Sequence, residues 1–74
     1  MQITVTVQYN RLKIYFNEIL HCHIDTTGGV HVHVWEDNNL YCIEYTTKCG
    51  VVLCEYESKD TWLAIVKEVQ TKLE

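Results

Sequence analysis

Histidines 21, 23, 31 and 33 form two His-x-His pairs separated by a short glycine-containing stretch. A strand sends alternate residues to one face, so each pair can offer two imidazoles on one side. Cys42, Glu44 and Glu55 lie on segments that can pair beside them, and imidazole, thiolate and carboxylate are the ligands zinc uses. A Cys42–His33 pair could also act as nucleophile and base, with Glu44 or Glu55 orienting the imidazole. The other ingredients of catalysis are sparse. Ser58 is the one serine and stands where a helix cap is expected. Gly28-Gly29 lacks the strand-to-helix context of a phosphate loop. One small sheet also offers little concavity for a substrate, and the reading is that the chain is not an enzyme.

The elements that position these residues follow from periodicity. Ile3, Val5, Val7 and Tyr9 alternate with polar neighbours, the pattern of a half-buried strand. Leu12, Ile14, Phe16, Leu20, Cys22 and Ile24 are all even-numbered, which predicts one long strand with a bulge or bend at Glu18. Asn10-Arg11 is then a tight turn pairing Tyr9 with Leu12. A helix over residues 10–20, with Leu12, Phe16, Ile19 and Leu20 on one side, is the alternative. Asp25–Gly29, Glu36–Asn39 and Thr47–Gly50 read as turns. They separate strands at Val30–Val34, Leu40–Thr46 and Val51–Glu57. Ser58 caps a helix whose stripe is Trp62, Ile65, Val66, Val69 and Leu73. The expected fold is α+β, one domain over residues 1–74. It is a five-stranded antiparallel meander with one C-terminal helix packed on one face, or β-α-β-β-β-α if residues 10–20 are helical.

Register follows from keeping the apolar sets together. Val30, Val32 and Val34 toward the helix place Val34 against Tyr41 and Val32 against Ile43, and Val52, Cys54 and Tyr56 also face inward. The outer face then carries one row of His21, His33, Cys42 and Glu55. Its neighbour reads His23, His31, Glu44, Leu53. A His-x-His strand with a third histidine on its neighbour resembles the ligand arrangement of carbonic anhydrases. The expectation is a solvated face with no cofactor. The competing one is a zinc site built from His21, His23, His31, His33 and Cys42, since cross-strand neighbours ~4.5–5.5 Å apart can share a metal ion. No C-x-x-C occurs among Cys22, Cys42, Cys49 and Cys54, so free thiols are expected, with Cys22 and Cys54 as core filler.

Composition narrows the partners. Six basic residues stand against ten acidic ones, for a formal net charge of -4, and the basic ones are scattered singly. Nucleic-acid affinity draws on clustered Lys and Arg, so no direct nucleic-acid binding is expected. No apolar run approaches the ~20 residues that span a bilayer. The first residues lack the basic and apolar regions of a signal peptide, and a cytoplasmic protein is expected. Val51-Val52-Leu53-Cys54 is apolar on both faces of a predicted edge strand, which marks a pairing surface. The expectation is a homodimer through Val51–Glu57, or another protein partner. Trp35, Glu36, Asp37, Glu44, Val51, Leu53, Glu55 and Glu57 are the candidate contact residues, the acidic ones suited to a basic partner. Small acidic inhibitors that bacteriophages direct at nucleic-acid-handling proteins are similar in size, charge and want of catalytic motifs. A metal-binding or metal-sensing protein using the four histidines is the alternative function.

Overall fold

A computed structural model describes residues 1–74. The chain runs through β1 (Ile3–Gln8), β2 (Arg11–Phe16), β3 (Ile19–Asp25), β4 (His31–Asp37), β5 (Leu40–Thr47), β6 (Gly50–Tyr56) and α1 (Lys59–Leu73). The strands form two antiparallel three-stranded sheets, β1-β2-β3 and β4-β5-β6. This corrects the single five-stranded meander: there are six strands, and no ladder joins β3 to β4. It also excludes the helix over residues 10–20, which are two strands and their turns.

Three of the four two-residue hairpin turns share one backbone conformation. Tyr9-Asn10, Asn17-Glu18 and Asn38-Asn39 all hold both residues at positive φ. That conformation matches the right-handed twist of the flanking strands, and asparagine tolerates it better than most L-residues. At the second turn, Asn17 is further tied to the chain start. Its N–H donates to the Gln2 carbonyl and its Oδ1 accepts from the Gln2 N–H, each at 2.8 Å.

The Asn17-Glu18 turn lies where one continuous strand is predicted, and the reason is a cancellation. The turn pairs Phe16 with Ile19, so the inward set should switch from even to odd numbers in β3. A bulge then leaves His21 unpaired, between Tyr15↔Leu20 and Ile14↔Cys22, and switches it back. Cys22 and Ile24 therefore face the core beside Ile14 and Leu12. Two inversions restore the even parity of an unbroken strand from Cys22 onward, while Leu20, between them, is exposed.

In the second sheet the predicted faces hold, but the β4–β5 pairing moves by two residues. Val34 lies opposite Ile43 and Val32 opposite Tyr45, because the loop is Asn38-Asn39 alone. The first hairpin shifts equally, with Val7 opposite Leu12. The β5–β6 register is as predicted, with Cys42 opposite Glu55 and Glu44 opposite Leu53.

The inner faces of both sheets and the stripe of α1 close on one core. Val5, Leu12, Ile14, Cys22 and Ile24 come from the first sheet, Ile43, Tyr45 and Tyr56 from the second, Ile65 and Val69 from the helix. Each fully buried aliphatic side chain contributes roughly 1.5–3 kcal/mol over its exposed state. Helix α1 starts where Ser58 Oγ accepts from the Thr61 N–H at 3.3 Å. Trp62 fixes its approach by donating from Nε1 to the Cys42 carbonyl at 3.1 Å, with its ring tilted against that of Tyr41. The segment linking the sheets is held by the Thr26 N–H on the Asn10 carbonyl, 2.8 Å, and by Asp25 accepting from Thr27. No helix is long and apolar enough to cross a membrane.

Candidate functional site

Register places one set of side chains on the face of β4-β5-β6 opposite the core. Its cross-strand rows are Trp35–Cys42–Glu55, His33–Glu44–Leu53 and His31–Thr46–Val51. The strands of this sheet contain Glu36, Asp37, Glu44 and Glu55 and not one Lys or Arg. The basic strand residues, Arg11 and Lys13, both belong to β2 of the other sheet. Two exposed aliphatics sit within the acidic face, Val51 at 61% and Leu53 at 49% exposure. They lie on β6, which has a hydrogen-bonded neighbour on one side only. Trp35 is half-buried, with its ring centroid 4.9 Å from that of His33. Asp37 shares the face by strand parity. Glu57 follows the end of β6 and is exposed, as is Glu36, which falls on the inward parity at the end of β4.

Cys42 is on this face yet only 4% exposed, between Trp35 and Glu55. Burial pushes its thiol up from the ordinary value, and the carboxylates of Glu55 and Asp37 push the same way. It is a protected thiol, not an activated one. That removes the electrostatic support for a Cys42–His33 nucleophile, since the attacking species is the thiolate.

The four histidines are not gathered as the sequence register requires. His31 and His33 lie on β4 of one sheet, opposite Thr46 and Glu44. His21 and His23 lie on β3 of the other. His23 Nε2 is 3.0 Å from Arg11 Nη1, and His21, turned by the bulge, stacks on Phe16 at 4.1 Å between centroids. The expected His21–His33 and His23–His31 pairs do not form, because β3 and β4 belong to different sheets. No group of three or more His, Cys, Asp or Glu side chains is placed to hold a metal ion.

A second cluster occupies the seam where β3 approaches β6. The Sγ atoms of Cys22 and Cys54 are 3.8 Å apart, and His21 Nε2 is 3.0 Å from the Tyr56 hydroxyl. All four cysteines are free. As core filler, Cys22 and Cys54 carry no sequence signal of their meeting, since nothing in their spacing shows that two sheets bring them together. Comparison of the chain with protein-family models, curated proteins and solved structures finds no match.

Proposed function

We propose that the protein is a non-catalytic binding module that docks on a basic surface of another protein through β6 and the outer face of its sheet. One observation carries the reading: Val51 and Leu53 are exposed on an unpaired edge strand, in a sheet whose strands bear carboxylates and no basic side chain. Strand addition supplies main-chain hydrogen bonds, and Val51 and Leu53 supply apolar anchors. Trp35, Asp37, Glu44, Glu55 and Glu57, with Glu36 at the strand end, supply the field that attracts cations. A nucleic-acid-handling protein offers such a basic surface, and the module then acts as an inhibitor of the kind bacteriophages encode. The same edge supports a homodimer through Val51–Glu57. We place the protein in the cytosol, where free thiols persist.

Affinity capture with this chain at low salt, in parallel with Leu53→Lys, tests the docking surface. The expected result is a basic protein retained by the unaltered chain, released by salt and lost with the variant. Equal retention by both chains refutes docking through β6. Sedimentation velocity addresses the homodimer: association should be concentration-dependent and absent in Leu53→Lys. A monomer at high micromolar concentration removes the homodimer and leaves the heterologous partner.

A further inference from the structure

Cys22 on β3 and Cys54 on β6 face each other with Sγ atoms 3.8 Å apart. The ladder of each sheet ends at these strands, so no backbone hydrogen bonds tie them together. A disulfide brings sulfurs to ~2.05 Å, a closure of a little under ~2 Å that side-chain rotation and a small movement of two free edges can supply. We propose that Cys22 and Cys54 form a reversible dithiol–disulfide site that covalently closes the seam between the two sheets when a small-molecule disulfide oxidises it.

The two thiols differ in the way the chemistry requires. Cys54 is partly exposed on the edge strand, whereas Cys22 is only 9% exposed behind it. The hydrogen bond with Cys22 lowers the Cys54 thiol from its ordinary value, opposed by burial and helped by Tyr56. Cys22 is raised, first by that hydrogen bond, then by burial and by the charge of Cys54. The pair thus gives up its first proton easily and its second reluctantly. The more accessible sulfur is the one whose proton is held less tightly, and thiolate is the attacking species.

With oxidised glutathione as oxidant, the Cys54 thiolate attacks one glutathione sulfur and expels the other as glutathione thiolate. The Cys54 sulfur of the mixed disulfide carries no charge, so the influence of a Cys54 thiolate on Cys22 disappears. Cys22 then loses its proton and attacks Cys54 Sγ, expelling the second glutathione thiolate. The Cys22–Cys54 bond forms and the glutathione disulfide bond is broken. Two electrons pass to glutathione, and the two protons released by the cysteines complete two glutathione thiols. Cys42 stays out because it is buried with a raised thiol, and Cys49, exposed in the β5–β6 turn, lies outside the seam.

The test uses the full chain carrying Cys49→Ser, which removes the exposed thiol. It is incubated with oxidised glutathione in excess over reduced, quenched with acid, alkylated and mapped by mass spectrometry. The expected product is an intramolecular Cys22–Cys54 linkage, formed without denaturant, reversed by reduced glutathione, with a raised unfolding midpoint. In Cys22→Ser the glutathione adduct should persist on Cys54. In Cys54→Ser, Cys22 should react at least ~10-fold more slowly, since the remaining thiol is buried. A persistent Cys54 adduct in the Cys49→Ser chain overturns the proposal. So does a linkage that forms only in urea, or full alkylation of both thiols.

Discussion

The Tyr56 hydroxyl sits 3.0 Å from His21 Nε2, joining the bulge of β3 to the end of β6. Tyr45, one strand away on β5, is the converse: it is fully buried and its hydroxyl has no hydrogen-bond partner. Burial pushes both phenols above their ordinary value, and the neighbouring Cys54 adds to it.

Removing each hydroxyl should therefore move stability in opposite directions. Tyr56→Phe loses a satisfied bond and should cost about 1 kcal/mol; Tyr45→Phe removes an unsatisfied buried group and should gain about 1 kcal/mol. Urea denaturation with an unchanged slope is the measurement. A loss for Tyr45→Phe would mean that its hydroxyl is bonded.

Glu18 occupies the second position of its turn at φ +70°, a region that costs an L-residue roughly 1–2 kcal/mol. Glu18→Gly should stabilise the protein by about 1 kcal/mol, since Asn-Gly is the preferred pair for this turn. Were residues 12–24 one straight strand, the same glycine would be destabilising instead, so the sign of the shift in thermal midpoint discriminates the two structures.

Asp25 Oδ1 accepts from the Thr27 hydroxyl at 2.7 Å and the Thr27 N–H at 2.9 Å. The hydroxyl most of all, then the N–H, with Arg11 and Lys48 helping, holds this carboxyl below its ordinary value. The folded state thus favours the carboxylate. Its contribution is fully present above the unfolded value of ~3.9 and is lost as pH falls through the lower folded one. Asp25→Asn cannot titrate. The stability difference between the two chains should be constant near neutrality and change only below pH ~5. A difference that already varies between pH 6 and 8 would point to another group.

Because the histidines sit on two different sheets, zinc added to chelator-treated protein should leave the melting temperature unchanged. A specific site would instead add ~2–4 kcal/mol at a hundredfold to thousandfold excess over its dissociation constant. Such a gain, cancelled both by His31→Ala with His33→Ala and by His21→Ala with His23→Ala, would restore the register in which all four histidines share a face.

The amino-acid sequence by itself determined which faces are apolar, the β5–β6 register and the helix that Ser58 caps. Alternation fixes a residue's face, and the Trp62, Ile65, Val69 stripe has one helical solution. It misplaces the pairings Val34↔Ile43 and Val7↔Leu12 by two residues, because sliding a strand by two residues keeps every side chain on its face. It concealed the Asn17-Glu18 hairpin, whose parity change the His21 bulge undoes. Only the tertiary structure decided that β3 and β4 part into separate sheets. That parting separates the histidines and brings Cys22 to Cys54, thirty-two residues further along the chain. Alternation is a property of each strand alone. Which free edges meet depends on how two twisted sheets and a helix share one core, and no local pattern encodes that.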